Sequence, residues 1–164
     1  GWALMDSIDE IIKQHGSHVT AYVRSMVRDQ SMVEDLVQDT FIRVWRYLPS
    51  YRGEGSLASW IITICHNVVV SAVTKKIDIP TEYLHIAAVE DGHDNTDFVA
   101  LISRLPIDQR QAVALVLVMG FSYQEAADIM KSPIGTIRSR ISRGRDTLRE
   151  MVLAAENTEL PLAQ

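Results

Sequence analysis

Residues 132–150 read SPIGTIRSRISRGRDTLRE. Five arginines, Arg138, Arg140, Arg143, Arg145 and Arg149, crowd this stretch and Lys131 precedes it, although the 164-residue chain carries a formal net charge of −5. Ile134, Ile137 and Ile141 recur at three- and four-residue steps, which predicts an amphipathic helix with Ser132 as its cap and Pro133 at its first position. Just upstream, Ser122 and Glu125 form the pattern of a capping box and open a short helix that ends near Met130. A short helix, a turn at Lys131–Ser132 and a longer helix make a helix-turn-helix. Ala126 and Ala127 are small enough for the two helices to cross closely, and Ile129 joins the isoleucines in a shared core. Thr136, Ser139, Arg140 and Arg143 then follow one exposed stripe, flanked by Arg138, Ser142 and Arg145. A guanidinium fork can read guanine edges, and hydroxyls bond base or phosphate. The competing reading is a solvated basic face that suits the negative end of a helix. The capped helix ahead of it favours a DNA surface, and the acidic total is no objection because the field that matters is local.

Working outward, helical periodicity dominates. Ile8, Ile11, Ile12, Val19, Tyr22, Val23, Met26 and Val27 form one apolar stripe, with Gly16 as a place where it could bend. Ser31 and Glu34 predict a capping box for a second helix. Its stripe of Val33, Leu36, Val37, Thr40, Phe41, Val44 and Leu48 stops at Pro49. SYRGEGS (50–56) reads as a loop punctuated by two glycines. A third helix runs from about Leu57 to Lys76, with Trp60, Ile61, Ile64, Val68 and Ala72 inward. Between Ile77 and Thr96 there are five acidic residues and no Lys or Arg, the composition of a linker. A second helical block starts near Asp97, breaks at LPID (105–108), and resumes to Met119 before Gly120. The expected fold is all-α: a domain over residues 5–76, an acidic linker over 77–96, and a helix-turn-helix domain over 97–154. Residues 1–4 read as an addition ahead of Met5.

Composition narrows the function. No apolar run of about 18 residues stands out, so no membrane insertion is expected. The start of the chain turns acidic too soon for a secretory signal. Cys65 is the single cysteine and has no partner for an internal disulfide. These readings predict a cytoplasmic protein. His66 beside Cys65, with His15 and His18, raises the question of a metal. Neighbouring helical residues point about 100° apart, however, and no zinc-type spacing is present. A packing histidine and a small buried cysteine are expected instead, with no metal and no cofactor. No phosphate loop or nucleophile motif points to an enzyme.

Two separate blocks carry a family resemblance. LPIDQRQAVALVLVMGFSYQEAADIMKSPIGTIRSRISRGRDTLRE (105–150) is similar to the carboxy-terminal domain of the extracytoplasmic-function (ECF) sigma factors of the sigma-70 class. EDLVQDTFIRVWRYLPSYRGEGSLASWIITICHN (34–67) is similar to their amino-terminal domain. The resemblance implies a protein that lends promoter recognition to RNA polymerase core and helps melt the start-proximal element. By the same resemblance, Asp35, Gln38, Asp39, Ile42, Arg43 and Trp45 match the surface held by the clamp helices of the polymerase beta-prime subunit. Read from the residues alone, Ile42 and Trp45 would be core. The segment with Tyr51, Arg52 and Gly53, together with Asn67, Lys75 and Lys76, matches the part that engages the minus-10 element and captures a flipped base. Lys131, Thr136, Arg138, Ser139, Arg140 and Arg143 match the part that reads the minus-35 element. The family often follows the asparagine with an acidic residue and a dense basic cluster, whereas this chain has NVVVSAVTKK (67–76). The resemblance also implies an anti-sigma factor as a masking partner. A stand-alone helix-turn-helix regulator is the alternative, separated from a sigma factor by whether DNA binding needs polymerase core.

Overall fold

The computed structural model describes residues 2–75 and 98–159. Seven α-helices are present and no strand occurs among the described residues: α1 Trp2–Met26, α2 Gln30–Tyr47, α3 Leu57–Lys75, α4 Phe98–Ile102, α5 Ile107–Val113, α6 Tyr123–Met130 and α7 Ile134–Glu159. The all-α expectation is met. The acidic segment 77–96 and Lys76 lie outside the described residues.

The first three helices form one pack. Val19, Tyr22, Val23 and Met26 of α1 are buried against Val33, Leu36, Phe41 and Val44 of α2 and against Ile61, Ile62, Val68 and Val69 of α3. Gly16 does not interrupt α1; its carbonyl accepts the Thr20 hydroxyl at 2.7 Å. The start of α2 differs from the expectation. Asp29, not Ser31, is its N-cap, and one carboxylate oxygen accepts from the Ser31 and Met32 amides at 3.0 and 3.4 Å. A carboxylate here also answers the positive end of the helix dipole, which a hydroxyl cannot do. Ser31 is thereby drawn into the first turn.

α3 corrects another expectation. An 18-residue window of it has mean hydropathy 1.6, so by length and composition it could cross a membrane. Here it packs within the first domain. Cys65 and His66 face inward with its aliphatic residues, and the buried Tyr22 hydroxyl lies 2.7 Å from His66 Nδ1. Contact with α1, α2 and the second domain explains why so few polar residues are needed on it.

The second domain turns on two glycines. After α5 the chain widens into a π-helical turn, Ala114–Val118, where Met119 N–H reaches back five residues to the Ala114 carbonyl. Gly120, with φ 78°, stops it. Gly144 of α7 lets that helix approach α5: a Cβ added there would meet Val113 Cγ2 at 2.5 Å. Ile137, Ile141 and Leu148 complete this core with Ile102, Leu105 and Leu115.

The two domains are in contact in their described parts. α3 lies against α6, and α1 against α4, α5 and the π-turn, so the buried residues form one continuous cluster. The half-buried Arg110 spans the seam. Its Nε and Nη2 donate to the Leu105 carbonyl at 3.0 and 2.8 Å, and its Nη1 donates to the Met26 carbonyl, at the end of α1, at 2.8 Å. Burial, and then the neighbouring Arg28, press its pKa down.

Two outcomes test this packing. Gly144→Ala should destabilise the fold by about 1–2 kcal/mol in urea unfolding, because the clash outweighs the roughly 1 kcal/mol of helix propensity gained. Arg110→Ala should shift the chain toward separated domains by about 1–3 kcal/mol. Spin-label distances between α2 and α7 would lengthen while helical content stays unchanged; unaltered distances would show that the seam does not depend on this side chain.

Candidate functional site

Three surfaces carry the residues singled out from the sequence. The first is the outer face of α2. At about 100° per residue, Gln38, Ile42 and Trp45 fall within roughly 60° of one another. Ile42 is 48% exposed and Trp45 51%, so neither belongs to the core. Gln38 and Asp35 are exposed beside them. Asp39 pairs with Arg43 at 3.5 Å, which offsets its like-charge neighbour Asp35 one turn earlier but adds little stability at such exposure. Gln38 also borders a cleft of about 400 Å³ between α1 and α2, lined with Thr20, Gln30, Val33, Glu34 and Val37. Gln30 was not singled out from the sequence and Glu34 only as a capping residue, because nothing in their spacing marks a cleft.

The second surface is the loop between α2 and α3. Gly53 and Gly55 have φ of 77° and 74°, conformations that strain any other residue. Tyr51 Oη donates to the Gly55 carbonyl at 3.0 Å, and its ring lies 5.1 Å from that of Trp60 with a 43° tilt. Trp60 therefore packs beneath the loop as expected. Ser56 fixes the start of α3 by accepting the Ser59 amide at 3.0 Å. Arg52, Asn67 and Lys75 are exposed.

The third surface is the helix-turn-helix. Both bonds of the Ser122–Glu125 capping box form. The turn closes without glycine: Lys131 adopts φ 52°, in the left-handed region, and the Ser132 amide bonds the Ala127 carbonyl at 3.0 Å. That six-residue closure beside a left-handed residue is a Schellman ending. Ser132 does not cap α7; its hydroxyl donates back to the Met130 carbonyl at 3.2 Å. Pro133 stands in the N-cap position instead, its carbonyl accepting from the Thr136 and Ile137 amides. Ile137 and Ile141 point inward, leaving Gly135, Ser139 and Ser142 as a low crest. Arg140 and Arg143 rise on one side of it with Thr136, and Arg138 and Arg145 on the other. Arg138 and Arg143 are exposed, Arg140 and Thr136 half-buried. Small residues between two rows of guanidiniums suit entry into a groove with phosphates on both sides.

Comparison with known proteins agrees with this division. The family described as Sigma-70 region 2 matches residues 11–77, and that described as Sigma-70, region 4 matches residues 96–148. The ECF RNA polymerase sigma factor EcfG of Rhodopseudomonas palustris is 31% identical over 91% of this chain and 87% of its own length. The chain belongs to the ECF sigma factors of the sigma-70 family. The ECF RNA polymerase sigma factor SigE of Mycolicibacterium smegmatis is 34% identical over 96% of this chain, which spans only 65% of that longer relative. Among solved structures, the sigma factor RpoE of Bartonella quintana, in complex with the anti-sigma factor NepR, superposes with a TM-score of 0.73 at 30% identity, covering 89% of this chain and 96% of that one. CnrH, in complex with the cytosolic domain of CnrY, shares the fold with a TM-score of 0.68 at 20% identity, over 92% and 90% of the two chains.

The seam between the two sigma regions also holds a buried histidine. His66 is buried, and its pKa is lowered to about 4, first by burial and then by the charge of Lys131 across the seam. Cys65 beside it is pushed up to about 12 by burial, with a hydrogen bond to Thr40 acting the other way. These are the packing roles expected for both. Between pH 6.5, the ordinary histidine value, and about 4, the unfolded chain binds a proton at His66 that the folded chain refuses. Stability should therefore fall on acidification through that window, by up to about 3 kcal/mol below it. Urea titrations at several pH values would show this slope, and it should be reduced in a folded His66→Gln variant, which keeps the contribution of His15, whose pKa is also lowered by burial and then by His18.

Proposed function

We propose that this ECF sigma factor binds polymerase core through Asp35, Gln38, Asp39, Ile42, Arg43 and Trp45, the clamp helices of the beta-prime subunit covering that face. The observation that carries this reading is the exposure of Ile42 and Trp45. A chain that buries Val33, Leu36 and Val44 of α2 leaves these two on the same side as Gln38, and solvent exposure of a tryptophan and an isoleucine side by side suits a protein partner. Residues 5–76 then act as region 2, residues 77–96 as a linker and residues 97–154 as region 4, in the cytoplasm.

In this reading promoter DNA is engaged at two places. Thr136, Arg138, Ser139, Arg140, Arg143 and Lys131 read the minus-35 element, the arginines through guanine edges and phosphate and the hydroxyls through base or phosphate. Tyr51, Arg52, Gly53 and Asn67 take the flipped base of the minus-10 element, with Lys75 and Lys76 attracting the strand. Stacking and hydrogen bonding to an extruded base need an aromatic wall and an adaptable polar group. Tyr51 with Trp60 supplies the first, and the Asn67 amide supplies the second. An anti-sigma factor would occupy the face of Ile42 and Trp45, the basic face of Arg138 to Arg145, or both, when transcription is off. That such a partner exists is supported by the NepR complex of the 30%-identical RpoE.

Run-off transcription with polymerase core tests the reading. Trp45→Ala and Gln38→Ala should weaken association with core at least tenfold and leave the melting transition within about 2 °C of the parent. Loss of several kcal/mol on removing Trp45 would show a core side chain, where such truncation is that costly. Arg143→Ala should leave core binding intact and cost about 1–3 kcal/mol in promoter affinity. Specific binding of a DNA site by the chain without core would favour the stand-alone regulator.

A further inference from the structure

The hydroxyl of Tyr51 does something that the family pattern does not require. An aromatic ring at this position would wall a base pocket whether or not it carried a hydroxyl. Here Tyr51 Oη donates to the carbonyl of Gly55, four residues on, at 3.0 Å. The bond closes residues 51–55 into a ring of backbone with its own side-chain clasp. Inside that ring, Gly53 and Gly55 take the left-handed conformation, and a Cβ added to either would meet nothing within 4 Å. The glycines are thus there for backbone freedom, not for room. Two freely rotating glycines in five residues would leave Arg52 and Glu54 wandering through many conformations. Three contacts oppose that. The Tyr51 ring rests on Trp60 at 5.1 Å, the Tyr51 amide is tied to Leu48 at 3.1 Å, and the hydroxyl pins the far side of the loop. The ring and the amide hold only the near side; the hydroxyl alone reaches across.

We infer that the Tyr51 hydroxyl is a positioning group that closes the 51–55 loop before DNA arrives, so that the tip of Arg52, Gly53 and Glu54 meets the unpaired strand in one conformation. The inference rests on the minus-10 reading proposed above and deepens it. With its hydroxyl spent on Gly55, Tyr51 offers the base its ring and no donor. Discrimination between base edges then falls to Asn67 and to the exposed Arg52 and Glu54. Pre-ordering matters because binding to a wandering loop must first pay for its ordering, and affinity falls by the fraction of loops that are closed.

The experiment uses the holoenzyme, formed from the full chain and polymerase core, with Tyr51→Phe and Tyr51→Ala. The DNA probe is a fluorescent single-stranded oligonucleotide from the non-template strand of the minus-10 region of a promoter that the parent holoenzyme transcribes. Backbone nitrogen-15 order parameters at residues 52–55 of the free chain report loop closure. Tyr51→Phe keeps the ring on Trp60 and loses only the clasp. It should lower those order parameters, bind core as the parent does, and hold the oligonucleotide about two- to tenfold more weakly, the worth of one hydrogen bond. Tyr51→Ala should lose more, since the wall goes too. Parent-like order parameters in Tyr51→Phe would overturn the clasp. Lower order parameters with unchanged oligonucleotide affinity would show a structural bond without a positioning role. If Tyr51→Ala also binds the oligonucleotide as the parent does, the minus-10 reading itself fails, and the inference with it.

Discussion

A guanidinium cannot shed its charge, so wherever it is buried its donors must be met. Arg110 meets three of its own with two carbonyls, one in its own domain and one at the end of a helix in the other. Leu105 supplies the first at the break before α5, where the turn frees a carbonyl from helical bonding. Met26 supplies the second, at the negative end of α1, where a cation is welcome. This side chain is the polar link across the seam between the domains. Beside it α1 packs on α5 and α6 on α3, and the buried aliphatics of the two packs form one cluster. Neither Leu105 nor Met26 could be recognised in advance, because a carbonyl oxygen has no signature in sequence.

Much of the rest could be read. The apolar stripes of α2 and α7 follow helical spacing closely enough to name their buried residues, and the capping box at Ser122 forms as the pattern says. The misplaced details share a cause. At the start of α2 two residues competed for one cap and geometry chose Asp29 over Ser31, while at α7 the Ser132 hydroxyl turned back to the Met130 carbonyl and left the helix to begin one residue later. A pattern of residue types records that a cap is near but not which backbone turns first. α3 escaped notice as an apolar helix because His66 and Asn67 interrupt its run, yet His66 is buried, bonded to Tyr22 and uncharged at neutral pH.

The candidate sites divide in the same way. Ile42 and Trp45 obey the same periodic logic as core residues, and the residues alone would have buried them. Only the packing of α1 and α3 onto the opposite side of α2 shows that their face is left open. The exposed side of α7 was legible because arginines at helical spacing against an isoleucine stripe can only face outward. Arg110 was not, since one arginine in a helix is ordinarily a solvated one. The Tyr51 clasp lies between these cases. Its glycines announce a loop, but which carbonyl the hydroxyl reaches depends on two left-handed turns that sequence does not order.

The seam leaves much of α2, its following loop and α7 open. With the domains packed, Arg138, Ser139 and Arg143 remain exposed, as do Ile42, Trp45 and Arg52. What packing fixes is the separation between the loop after α2 and the crest of α7. Changing that separation requires the seam to open. Arg110 makes that opening less costly than a buried charge usually would. On separation it keeps both bonds to Leu105, gives up only the Met26 carbonyl, and gains water. The Met26 carbonyl is a helix end, which water can also satisfy. The polar part of the seam can therefore be exchanged for solvent at modest cost, and the resistance to opening comes mainly from the apolar contacts of α1 with the π-turn and of α3 with α6. Any molecule that selects the open form must offset that apolar area with contacts of its own.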